Sequence, residues 1–322
     1  MDARAAEVAA SEPDTSTYMG RVAYFRTLTD IRTLFTPAQE MQRSVEIMRQ
    51  FRAGTLPQSV PASEIISAKN TYLACIHPDL EEPIHPFFRM SAAPPVNMVI
   101  VGAMMAARSP LSVLLTQTIN QGYNVGVNYA NRNASNVMSV QQIATSAVGA
   151  LVSAVGASMG LNELVKRSSL RPAVKNLAMG LVPFVAVSVA NIFNITLMRW
   201  PEVSQGISVS NEEGERVGQS VIAGRQAVTQ TIISRILMIT PVMVSVPIIL
   251  QLLKPVLGGR PAATFGLNLA LTGFFIWLFL PLTISVYPQV STMDVRNLEP
   301  QFQSLTLSNG QPVQRVTFNK GL

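Results

Sequence analysis

Charge is what this sequence has least of. Asp, Glu, Lys and Arg supply 13% of its 322 residues, against about 25% in an ordinary soluble domain. Hydrophobic residues reach 48% and the mean hydropathy is +0.30. That balance points away from a soluble enzyme and toward a multi-span membrane protein. A single cysteine, Cys75, excludes an intrachain disulfide and a cysteine-built metal cluster. The two histidines, His77 and His85, both precede the apolar region, so a transition-metal site lacks ligands. Between residues 96 and 291 the only acids are Glu163, Glu202, Glu212, Glu213 and Glu215, each lying between apolar runs. A Ser–His pair, a P-loop and a GxGxxG pattern are also missing. No catalytic residue, cofactor or metal is therefore expected. The opening MDARAAEVAASEPD carries four acids and no apolar core, which argues against a secretory signal and a cleaved mitochondrial presequence. The net charge is +6, but the basic residues are scattered, so no nucleic-acid partner is expected.

What is present divides by charge. Residues 1–95 hold 9 of the 24 basic and 11 of the 18 acidic residues. They are followed by apolar runs and, from Thr292, a short polar tail. The predicted fold class is an all-α membrane protein, with five transmembrane helices preceded by a helical N-terminal soluble region. The spans fall at about 96–115, 141–161, 173–195, 232–253 and 264–286, each near the ~20 residues a bilayer requires. Small residues in the second let helices approach closely. Pro183, Pro241 and Pro247 are tolerable inside membrane helices. The first run is different, because Val96–Ala107 is too short to cross and meets Arg108-Ser109-Pro110. Either the span continues to about Leu115, or it breaks and a new helix starts with Ser109 as N-cap and Pro110 at N1. Interrupted segments of this kind are where transporters place binding sites.

Loop charges predict orientation. Lys166, Arg167, Arg171 and Lys175 follow the second span, and Lys254 and Arg260 follow the fourth. These basic loops share one side. Five crossings then place residues 1–95 on that side and the tail 292–322 on the other. A hairpin at about 206–220, built on Gly206-Ile207-Ser208-Val209 and the turn Asn211-Glu212-Glu213-Gly214, is the only β structure predicted. In the N-terminal region, Thr36 and Pro37 start a helix that Gly54 closes, and a second helix covers 62–76. Their apolar faces (Met41, Val45, Met48; Ile65, Tyr72, Leu73) pack on each other or on the membrane surface.

Three polar motifs remain. Gln117, Asn120, Gln121, Asn124, Asn128 and Asn131 recur at spacings of three and four, which makes one amide stripe on a helix. Asn191 and Asn194 repeat the spacing in the third span. Amides donate and accept without net charge, so they suit a zwitterion's ammonium and carboxylate, or each other across helices. Both roles stay open, substrate contact or helix glue. Arg235, at the head of the fourth span, reads as a snorkelling side chain. His77-Pro78-Asp79 has the form of the J-domain tripeptide, but the helix before it carries only Lys69 as a basic residue. It reads instead as a structural or gating stop, together with Arg108 and Pro110.

At these residues the chain resembles the sideroflexins, a family of mitochondrial inner-membrane proteins. The resemblance runs through DTSTYMGRVAYF and TDIRTLF at 14–35, TPAQEMQRS at 36–44, IHPDL at 76–80 and RMSAAPPVNM at 89–98. It continues through INQGYNVGVNYANRN at 119–133, NIFNITLMRWPE at 191–202, GISVSNEEGERVGQS at 206–220, SRILMITP at 234–241, YPQVSTM at 287–293 and FNKGL at the end. It implies five spans, a matrix-facing N-terminal region, import by internal signals, and transport of serine or similar small neutral amino acids. It also implies a link to iron and haem metabolism, which the poverty of metal ligands makes indirect. Ile31 stands where the family has Pro, and Leu80 where it has Thr. Two functions are carried forward. One is a transporter of a small neutral amino acid. The other is a non-transporting subunit of a larger inner-membrane complex. The expected partners are the amino acid, the lipid bilayer, and a homo-oligomer or such a complex.

Overall fold

The computed structural model describes residues 3–77, 80–106, 109–131 and 139–321. It is mostly helical. It divides into two compact units, Met1–Asn136 with Ile248–Val286, and Val137–Pro247 with Tyr287–Leu322.

The first unit begins with α1 (Ala3–Ser11), α2 (Tyr18–Leu28), α3 (Ala38–Ala53) and α4 (Ala62–Cys75). Helix α3 starts one residue later than predicted. Pro37 takes the N-cap position with no side-chain bond, while Thr36 closes a 3-10 turn over Ile31–Phe35. Gly54 ends α3 at φ +69°, a left-handed conformation that costs glycine nothing. The 3.6-residue period of α3 and α4 yields two apolar seams. Met41, Val45 and Met48 meet Tyr72, Ala74, Cys75 and Ile76. Val8 of α1 and Ile47 meet Ala62, Ile65 and Ala68. Ile65 is fully buried, worth about 1.5–3 kcal/mol of transfer free energy. Leu73, predicted in the seam, stays only half-buried.

Helices α5 (Ala93–Ala106), α6 (Pro110–Ala130) and α12 (Pro261–Ile284) also belong to this unit, together with residues 248–257 of the helix that precedes α12. Gly102 lies against Leu269 and Phe265, and Gly273 lies against Met98. These contacts make α5 antiparallel to α12. Ser109 caps α6 through a reciprocal bond with Ser112, so the first apolar run is two helices and not one span to 115. At the last turn of α12, the Tyr18 hydroxyl donates to Leu282 O at 3.0 Å and Arg21 Nε donates to Ser285 O at 2.8 Å. Both bonds satisfy carbonyls that the helix end leaves open.

The second unit holds α7 (Val140–Arg167), α8 (Pro172–Met198), the short α9 (Trp200–Ser204) and α10 (Val221–Thr240). Helices α7 and α8 form an antiparallel pair, with Gly149 giving way to Leu197. Beyond α10 a π-helical segment, Pro241–Ser245, leads into α11 (Val246–Leu257). Pro241 has no N–H to donate, and such register slips follow from that loss.

The expectation of an all-α chain needs correction. Strands β1 (Ile207–Ser210), β2 (Arg216–Ser220), β3 (Val290–Asp294) and β4 (Arg315–Asn319) form one antiparallel sheet in the order β2-β1-β4-β3. The residues expected as a polar tail thus supply half of a sheet. Phe302, Val316 and Phe318 of that segment pack with Val209 and with Ala223 and Ala227 of α10. Alternation in β4 explains this, since Val316 and Phe318 face inward between exposed Arg315 and Asn319.

Among the described residues, three helices are long and apolar enough to cross a membrane: Ala144–Arg167, Val221–Leu257 and Pro261–Ile284. Met90–Met104 and Phe184–Met198 are shorter apolar helices. Five apolar segments exist, but three reach spanning length by this measure. At 37 residues, the helical stretch Val221–Leu257 is about 55 Å long against a hydrocarbon core of about 30 Å. Its first turns lie under the sheet.

Candidate functional site

The amide stripe of α6 is a polar surface with few internal bonds. Gln117, Asn120 and Gln121 are half-buried and Asn124 is exposed. None of the four has a hydrogen-bond partner among the described residues. The side chain of Asn128 lies outside the described residues, as does that of Pro110; the backbone of Pro110 occupies N1 of α6. Asn131 behaves differently. Its Nδ2 donates to Phe88 O and Val127 O, both at 2.8 Å, so it ties the end of α6 to the segment before α5. The same segment is gripped elsewhere. Tyr123 stacks on Phe88 with centroids 6.5 Å apart, and its hydroxyl is buried without a partner among the described residues. A Cβ on Gly126 would lie 2.4 Å from Phe88 Cε1, so only glycine fits this approach unless the ring moves.

In the second unit Asn194 is buried and its Nδ2 donates to Ser146 O of α7 at 3.4 Å. It joins α7 to α8, the glue role. Asn191 is half-buried and makes no hydrogen bond among the described residues. Gln142, which the sequence reading passed over, donates to Met198 O at 2.9 Å.

A charged node lies where α8 ends. Arg199 binds Glu202 through two guanidinium nitrogens, and it also reaches Thr231 Oγ1 at 2.8 Å and Lys320 O at 2.6 Å. One side chain therefore holds α9, α10 and the C-terminal segment together. The sequence carried a signal, an i,i+3 Arg–Glu pair around Trp200-Pro201 with Glu202 among very few acids. Arg235 sits half-buried on α10, one turn beyond Thr231.

The C-terminal segment is fastened to α10 a second time. The Glu299 carboxylate accepts from Ser220 Oγ at 2.8 Å, Val221 N at 2.7 Å and Ile222 N at 3.0 Å. It thereby caps the first turn of α10 from the connection between β3 and β4. Burial would raise its pKa, but the bonds from Ile222, Ser220 and Val221 outweigh burial and hold the carboxyl below its ordinary range.

The His77 region is a tight fold-back. His77 N donates to Glu82 O and Ile84 N to Cys75 O, at 2.9 and 2.8 Å. The buried His77 ring accepts from Leu80 N at 3.3 Å through Nδ1. Glu81, at φ +52°, pairs with Arg49 at 3.0 Å and Arg52 at 3.6 Å. Pro78, Asp79 and Arg108 lie outside the described residues. Leu80 and Ile31, the two departures from the family pattern, are both exposed.

Beside this fold-back lies Arg89, buried to 1% exposure and missed in the sequence. Its guanidinium donates to Ile84 O at 2.9 Å, Thr33 O at 2.6 Å and Met41 Sδ at 3.0 Å. It meets carbonyls and a thioether in place of an acid. Burial raises the pKa of the neighbouring Cys75 thiol. The thiol stays protonated and donates to the same Thr33 O at 3.6 Å.

Comparison with known proteins gives one consistent answer. The family model described as Sideroflexins matches residues 7–322. Sideroflexin-1 of Mus musculus and of Homo sapiens are each 38% identical over 312 residues, covering 96% of this chain and 95% of theirs. Sideroflexin-3 of Homo sapiens is 37% identical over the same length and shares. No solved structure matches the chain.

Proposed function

Because the chain belongs to the sideroflexin family, we propose that it carries serine or a similarly small neutral amino acid across the mitochondrial inner membrane. The family match supports a membrane transporter-type role. The apolar helices support a multi-pass membrane protein, with α5, α7, α8, α10–α11 and α12 as the five embedded segments. The observation that carries the substrate class is the α6 stripe. Asn120, Gln121 and Asn124 leave their amides open on a helix paired with an apolar one. An uncharged donor–acceptor surface suits a zwitterion, whose ammonium needs acceptors and whose carboxylate needs donors. Asn128 joins the proposed contact set, whereas Asn131 and Asn194 each hold the fold of their own unit. In this reading the protein is a carrier and not an enzyme, and it uses no cofactor. Uptake of radiolabelled serine into liposomes holding the purified full chain tests the proposal. Saturable uptake above protein-free liposomes supports it. Its absence, with the protein folded and inserted, favours the non-transporting subunit.

A further inference from the structure

The amides of α6 have a spacing that the substrate reading does not use. Gln117, Gln121, Asn124 and Asn128 fall at gaps of four, three and four, and Asn131 follows after three more. Those gaps are the alternating d and a positions of a heptad, the seam that one helix presents to another. Within the chain no helix covers this seam. The last turns of α6 rest on Phe88 through Tyr123 and Gly126. Gly126 comes two residues after Asn124, about 200° round the helix, so Asn124 lies away from that contact and is exposed. Asn131 is the exception, because Phe88 O and Val127 O hold it. The open seam therefore ends at Asn128.

The chemistry of the seam selects its partner. No residue from Pro110 to Ala130 is charged, unlike a face built for water, and hydrocarbon penalises open amides. A carboxamide both donates and accepts, so a row of them complements a copy of itself. A two-fold interface asks for that self-complementarity. We propose that α6 is a homodimer seam, in which two copies of this chain meet with their α6 helices parallel and in register. Gln117 and Asn124 at d, and Gln121 and Asn128 at a, then face their counterparts. An asparagine at an a position fixes register and strand number in such pairs. With no charge on α6, the in-register pair sets no like charges opposite each other. The consequence for transport rests on the carrier reading above: the amides proposed to contact substrate come from both copies, and the site is complete only in the dimer.

Disulfide trapping in membranes tests the seam. Two differently tagged versions of the full chain are co-expressed in a Cys75→Ser background, which removes the sole cysteine. Gln117→Cys and Asn124→Cys, seven residues apart at d, are oxidised separately. Each should shift the 34.8 kDa band to a dimer band that carries both tags. Gln121→Cys reads the a position should either variant fail to accumulate. Ile119→Cys, 60% exposed and about 200° round the helix from Gln117, should stay monomeric. Monomer alone at all seam positions would overturn the proposal. So would crosslinking at Asn124 with Gln117 silent, which means an antiparallel crossing. Equal crosslinking at Ile119 would reduce the result to random collision, and an adduct that never carries the second tag would assign the seam to a different protein. Serine uptake by the Cys75→Ser chain in liposomes is read separately. Crosslinking without uptake keeps the dimer and removes the carrier, and uptake without crosslinking does the reverse.

Discussion

Replacing Glu299 by Gln should release the C-terminal strands from α10. The carboxylate sits 78 residues beyond the helix start it caps and takes three hydrogen bonds there, at 2.7, 2.8 and 3.0 Å. Glutamine keeps the shape and one acceptor oxygen but loses the charge and the second acceptor. One bond to a charged group is worth about 1.5–3 kcal/mol, so that is the expected loss. It corresponds to roughly ten- to hundredfold faster exchange of amides that open with the tail. Val316 and Phe318, buried in the sheet, are the reporters, read by hydrogen exchange of the purified protein in detergent. The sign of the pH effect follows from the depressed pKa of Glu299. Its contribution is complete above the unfolded carboxyl pKa of about 4.3 and fades as pH falls through the lower folded value. Protection in the wild type should therefore fall toward that of Glu299→Gln in acid, while the variant itself stays flat. Equal protection of Val316 and Phe318 in both proteins at neutral pH would refute the cap as the fastening.

Gly126→Ala should destabilise the α5–α6 pair by about 1–3 kcal/mol through overpacking on Phe88. Gly126→Ala with Phe88→Leu should recover most of it, as thermal stability in a double-mutant cycle would report. Asn124→Leu should abolish serine uptake in reconstituted protein that inserts normally, whereas Asn194→Leu should lower the yield of folded protein because the bond from α8 to Ser146 O of α7 is lost. Uptake per inserted molecule separates the two. Ile65→Ala should cost about 2–5 kcal/mol, because a fully buried side chain leaves a cavity between α1, α3 and α4. Denaturant unfolding of the purified protein measures it.

Much of this molecule is readable residue by residue. Apolar runs, the Ser109–Pro110 start of α6 and the Gly54 stop of α3 depend on neighbours within a few positions, so their signals are local. The amide stripe is legible for the same reason, since helical spacing alone aligns Asn120 and Asn124. Which amides stay open is not local. Asn131 finds Phe88 O 43 residues away, and Asn194 finds Ser146 O 48 residues away. No spacing rule distinguishes these from Asn124.

The sequence by itself determined that the chain is mostly helical and apolar, where its runs begin and end, and to which family it belongs. Tertiary structure alone decided the sheet and the docking of the N-terminal helices on α12. Strands β1 and β4 pair Ser210 with Thr317, and a four- or five-residue strand carries too little pattern to name a partner that distant. Arg21 and Ser285, 264 residues apart, place the N-terminal helices at the exit of α12. Helix α6 is half polar and escapes a hydropathy count. Its return toward Phe88 is settled by packing at Gly126, where a missing side chain lets two segments touch.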